Sequence, residues 1–72
     1  MAQPVWRNAE QLVDETRQNI ETQKTVVADL ERRGLDPTLA RKHLVMLEET
    51  LIRRIEILNQ LRASWKARGN AT

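Results

Sequence analysis

Apolar residues recur along the chain at alternating spacings of three and four. One series runs Trp6, Ala9, Val13, Ile20, Val27 and Leu30, with polar Thr16 and Gln23 standing in two of its places. A second runs Ala40, Leu44, Leu47, Leu51, Leu58, Leu61 and Trp65, interrupted by Arg54. This alternation is the a/d seam of two helices lying along each other. It predicts helices over about residues 5–33 and 37–67, each ~45 Å long at 1.5 Å per residue. The first has two candidate starts: Pro4 at its first position, or Asn8 as N-cap with Gln11 three residues on.

Between the two series lies Gly34-Leu35-Asp36-Pro37, which carries stop and start signals back to back. Gly34 suits the left-handed residue that ends a helix, and Leu30 and Leu35 then hold the two positions whose contact accompanies a Schellman cap. Asp36 follows as N-cap of the second helix. Pro37 falls at its first position, where a missing N–H costs nothing. So short a connection forces the helices antiparallel. The expected fold is therefore all-α: a single αα-hairpin domain over residues 1–72, with frayed ends at about 1–4 and 68–72.

The apolar pattern is wider than one partner helix needs. Leu12 and Val26 widen the first seam on one flank. Val45, Ile52 and Ile55 extend the second on one side, and Leu39, Met46 and Ile57 on the other. The second helix is apolar over roughly half its circumference, against the ~100° of a core-facing surface helix. Such a surplus asks for a cover from outside the hairpin. A chain of 72 residues with no cysteine and one histidine also lacks the disulfide or zinc staple of many small domains. Both points lead to a homodimer, two hairpins forming a four-helix bundle, with Leu12, Val26, Val45, Ile52 and Ile55 as its interface or as the site of another protein.

Charge adds a direction. Residues 1–36 hold five Lys/Arg against seven Asp/Glu, and residues 37–72 hold seven against three. An acidic helix beside a basic one favours the antiparallel pairing at modest energy. Arg53, Arg62, Lys66 and Arg68 are candidate nucleic-acid contacts, although Glu48, Glu49 and Glu56 break up the basic stripe. The alternative for Arg62, Lys66 and Arg68 is simple pairing with the helix C-terminal dipole. No polybasic cluster points to a membrane surface, and no run of ~18 apolar residues points to a span. With no basic region followed by an apolar run at the start, the expected location is the cytoplasm.

Trp6 and Trp65 are the only aromatic residues and stand equally far from the turn. They meet at the open end, either as a clasp that closes the hairpin or as an exposed pair that grips a partner. Arg54 also has two readings: a side chain snorkelling to Glu15 or Asp14, or a buried polar contact that fixes register. His43 lacks the companions at helical spacing that a metal or catalytic site needs. No nucleophile–base pair, metal cluster or phosphate loop is present, so no catalytic residue, cofactor or metal is expected.

Ile20, Gln23, Val26, Leu30, Gly34, Asp36, Ala40, Leu44, Leu47-Glu48 and Leu51 together resemble a pattern found in a mostly uncharacterised group of small bacterial helical-hairpin proteins. The resemblance covers about residues 17–55 and rests on turn, cap and seam positions. It implies the hairpin and no activity. A histidine that often follows the Leu-Glu-x-x-Leu segment in that group is absent, the chain here reading Ile52-Arg53-Arg54-Ile55. In topology alone the chain is similar to Rop, a dimeric αα-hairpin that binds paired RNA loops. The functional expectation is a non-enzymatic protein–protein interaction module, a small regulator, adaptor or inhibitor. The alternatives are a Rop-like RNA- or DNA-binding regulator and a subunit of a larger hetero-complex.

Overall fold

The computed structural model describes residues 6–70, with side chains through Lys66. Two helices, α1 (Trp6–Arg32) and α2 (Thr38–Asn70), pack against each other along their length. The Cα trace measures 61 × 21 × 11 Å, a flat two-helix slab. Its radius of gyration is 17.1 Å, against ~11 Å for a compact domain of this length. Among the described residues no helix is long and apolar enough to cross a membrane.

The turn is built by the residues that announce it. Gly34 has φ +72°, the left-handed conformation that glycine adopts without Cβ strain. The Leu35 N–H donates to the Leu30 carbonyl at 2.9 Å and the Gly34 N–H to that of Glu31 at 3.1 Å, the paired bonds of a Schellman motif. Asp36 Oδ1 then accepts from the Thr38 N–H at 3.0 Å and from the Thr38 hydroxyl at 2.6 Å, capping α2. The Pro37 carbonyl accepts the first helical bond, from Arg41 N–H at 2.8 Å.

The Thr38 hydroxyl, then the Thr38 N–H, hold the Asp36 carboxyl below its ordinary 3.8, outweighing a slight desolvation; the Arg41 charge adds to the lowering. A depressed carboxylate stabilises the fold above its unfolded pKa, and the contribution fades as pH falls through the folded value. Asp36 should therefore titrate below 3.8 by carbon-detected NMR. The stability gap between the native chain and Asp36→Ala should be full at pH 5 and close in more acidic solution. A gap unchanged by acid would show that the carboxylate is not the cap.

Two boundaries differ from expectation. Trp6 is already helical, so Asn8 lies inside α1 and is not its cap; Pro4, the other candidate start, lies outside the described residues. At the far end α2 continues through Gly69 to Asn70, where a frayed tail from residue 68 was expected. A glycine in a helix costs only ~1 kcal/mol and does not by itself end one. Gly34 is followed by Leu35, which can occupy the apolar cap position, whereas Gly69 is followed by polar Asn70. Residues 1–5 and 71–72 lie outside the described part.

The seam forms the core. Val13, Ile20, Val27 and Leu58 are buried, and Thr16 is the most enclosed side chain at 1% exposure. Ala9, Gln23, Leu30, Ala40, Leu44, Leu47, Leu51 and Leu61 are half-buried. With a single partner helix, seam residues are covered from one side and most remain partly open.

Candidate interaction surface

Among the described residues three polar ties cross between the helices where the seam is not apolar. Arg54 turns into the seam and donates to Thr16 Oγ1 at 2.5 Å and more weakly to the Leu12 carbonyl at 3.4 Å. The Thr16 hydroxyl in turn donates to the Leu12 carbonyl at 2.7 Å. Of the two readings of Arg54, the geometry matches the seam contact; neither Glu15 nor Asp14 receives it. Gln23 Nε2 donates to the Ala40 carbonyl at 3.0 Å, a register tie that the sequence did not reveal because the acceptor is backbone. Two ion pairs bracket the hairpin, Glu31–Arg41 at 3.1 Å near the turn and Glu10–Arg62 at 2.6 Å near the open end. Both are largely exposed, each worth at most ~1 kcal/mol, so they guide alignment more than they stabilise.

The open end is organised around Arg62. Its guanidinium carbon lies 5.5 Å from the centre of the Trp6 ring while the same group pairs with Glu10. Both contacts join the helices here, the cation–π part worth ~0.5–1 kcal/mol at a site this exposed. Trp6 is half-buried. Trp65 lines the same hollow, with Ala63 and Lys66, and stays 48% exposed. Arg62, a candidate nucleic-acid contact, is thus engaged within the hairpin. Arg53 and Lys66 are exposed, and the Arg68 side chain lies outside the described part.

The two broad faces of the slab differ in chemistry. Leu12 lines a hollow with Ala9, Arg54 and Ile57. Ile52 lines another with Arg17, Glu21, Lys24 and Glu48. Ile52 and Ile57 are five residues apart, ~140° around the helix, so these hollows open on opposite faces. The five expected interface residues therefore do not form one surface. By helix geometry Leu12 and Val26 fall on the side of Leu39, Met46 and Ile57, and Ile52 on the other; Val45 lines a hollow with Met46, Thr38, Arg41 and Lys42 along the outer edge of α2, and Ile55 is half-buried beside the seam.

The signal for this division was present in the sequence. Leu12, Val26, Leu39, Met46 and Ile57 each immediately precede a seam residue; Val45, Ile52 and Ile55 each follow one. In antiparallel helices, residues displaced in the same rotational sense from the seam emerge on the same face. The face of following residues carries Arg7, Glu10, Asp14, Arg17, Glu21 and Lys24 along α1. The face of preceding residues is poor in charge. Leu39, Met46 and Ile57 are 79%, 63% and 52% exposed on it, with Leu12 and Val26 at 42% and 40%.

His43 is exposed on α2. No group of three or more His, Cys, Asp or Glu side chains able to hold a metal ion occurs among the described residues. No family model, curated protein or solved structure matches the chain.

Proposed function

We propose that the chain is a non-enzymatic interaction module that works as a homodimer, two hairpins joined into a four-helix bundle whose rigid outer surface engages another protein as a regulator, adaptor or inhibitor. The observation that carries this reading is the surface the single hairpin leaves open. The chain exposes 5935 Å², against ~4,600 Å² for a compact monomer of its mass. Among the described residues nine large hydrophobic side chains are exposed and four apolar residues are buried. The excess exceeds the ~800 Å² that each partner contributes to a standard interface. The charged face, with its lattice of Arg, Lys, Asp and Glu, would remain outward for a further partner.

A Rop-like nucleic-acid role draws on the basic second half. It is weakened by the pairing of Arg41 with Glu31 and of Arg62 with Glu10, which removes two cations from a stripe already broken by glutamates. A subunit whose apolar face belongs to an unrelated chain would differ again, since the isolated hairpin would then lack a self-complementary partner. Sedimentation equilibrium separates these. The dimer reading expects about twice the 8.4 kDa chain mass at micromolar concentration, falling on dilution. A mass of one chain throughout that range would overturn it.

A further inference from the structure

Self-association alone leaves open which face is covered and how the two copies are oriented. Resting on that reading, we propose that a second copy covers the charge-poor face, with the twofold axis running along the hairpin, so that both turns lie at the same end and each α1 covers the partner's α2.

The levels of the two helices follow from three of their ties, the Gln23 side chain reaching further along the axis to the Ala40 carbonyl. Glu31 meets Arg41, Thr16 meets Arg54 and Glu10 meets Arg62. A residue of α1 thus lies level with the residue of α2 whose number brings the total to about 71, as expected for straight antiparallel helices of equal rise. On this face Val26 pairs with Met46 and Leu12 with Ile57, each rung with one member from either helix, and Leu39 lies near the half-buried seam residue Leu30 at the turn end. Asn19 and Thr50 form a polar rung between them.

Two orientations of a second copy keep all neighbouring helices antiparallel. With the axis along the hairpin, every rung lies over its own copy. Leu39 then covers the partner's Leu30, Met46 the partner's Val26 and Ile57 the partner's Leu12. Asn19 lies over the partner's Thr50, amide to hydroxyl. With the axis across the hairpin, the turns lie at opposite ends and α1 covers the partner's α1. Leu39, the most exposed apolar residue of the face, would then lie at the level of the partner's Asn8 and Ser64, polar residues near the open end.

Charge decides the same way. The first arrangement lays the acidic helix on the basic one; the second lays like on like. Glu15 and Arg53 both belong to this face, each immediately preceding a seam residue, and neither has an ion-pair partner among the described residues. In the first arrangement each Glu15 comes within about three residues, ~4.5 Å along the axis, of the level of the partner's Arg53, within reach of the long arginine side chain at the rim. In the second it lies near the partner's Thr22 and Gln23. Complementary charge of this kind sets orientation and register in a symmetric interface. A slab 61 Å long and 21 Å wide offers ample area for the ~800 Å² each partner of a standard interface contributes.

The chain has no cysteine, so one introduced cysteine is a unique labelling site. A nitroxide on exposed Arg33→Cys, beside the turn, reads the orientation by pulsed electron resonance. Turns at the same end place the labels within ~25 Å, since packed helices lie 8–10 Å apart. Turns at opposite ends place them ~40 Å apart at 1.5 Å per residue, which would overturn the orientation. The face is read by Ile57→Asp and Ile52→Asp, both at exposed positions and both checked for retained helix by circular dichroism. Ile57→Asp should raise the dimer dissociation constant at least tenfold and Ile52→Asp should leave it within twofold. A dimer that survives Ile57→Asp and is lost with Ile52→Asp overturns the face assignment while self-association stands. A single-chain mass for the unsubstituted protein removes the self-association reading itself, and the arrangement with it.

Discussion

Leu58→Ala should leave the chain largely unfolded at 37 °C. Among the described residues Leu58 is the one buried apolar residue of α2, 6% exposed, and it lies beside Val13 of the α1 core. Truncating a buried leucine removes ~2–5 kcal/mol, the transfer term plus the cavity left behind. A single core in a chain this small rarely supplies more than ~3–5 kcal/mol, so the loss is comparable with the whole. Two helices leave little room to collapse around the gap without moving the seam itself. The check is a thermal melt followed at 222 nm at fixed micromolar concentration, because a dimer's midpoint depends on concentration. Ile52→Ala, on the exposed charged face, is the control and should melt with the native chain. A Leu58→Ala midpoint within two or three degrees of native would mean that the seam is not where the stability resides.

The seam to which Leu58 belongs was legible in the sequence. The two apolar series, the Gly34–Pro37 turn and the antiparallel pairing come from local patterns whose physics is short-range: a seam period, a left-handed glycine, an aspartate before a proline. The structure has Gly34 at φ +72° and Asp36 bonded to Thr38 because those residues leave few other low-energy choices. The expected interface set was split between two faces for a different reason. It selected residues by how far each widened its own stripe, helix by helix. Which flanks share a face is a property of the pair, set by both the rotation about each axis and the reversal of chain direction. Asking whether a residue precedes or follows its seam neighbour separates Leu12 and Ile57 from Ile52 at once.

The polar ties were legible only in part. Arg54 could be recognised as an interruption of the seam, but its choice of Thr16 over the nearby carboxylates depends on geometry: the hydroxyl is enclosed in the seam and Glu15 faces out. At the open end, equal distances from the turn suggested two indoles in contact. Trp6 and Trp65 line one hollow there, and the Trp6 ring also takes the Arg62 cation, which Glu10 anchors, because a guanidinium can bridge to the carboxylate and the ring at once.

Thr16→Val and Arg54→Met should have opposite effects on stability, and the pair together should recover what the first loses. Thr16→Val keeps the shape of a side chain that is 1% exposed but replaces the acceptor of a charged donor with a methyl group. The guanidinium then faces an apolar wall, keeping only the long contact to the Leu12 carbonyl. Loss of a hydrogen bond to a charged group costs ~1.5–3 kcal/mol. Arg54→Met removes the charge along with its desolvation cost. The Thr16 hydroxyl remains satisfied by the Leu12 carbonyl, so no buried polar group is orphaned. Replacing a partly buried ion by an apolar residue of similar volume is often neutral or stabilising by ~1 kcal/mol or more. The double variant has a continuous apolar seam at this level and should be at least as stable as the native chain. Chemical denaturation of the four proteins gives the coupling energy directly. If the tie sets register, the apolar variants should also lose specificity, seen as a broader distribution of masses in sedimentation. Additive effects in the cycle would mean that Arg54 and Thr16 stabilise the hairpin independently and that their short contact contributes little.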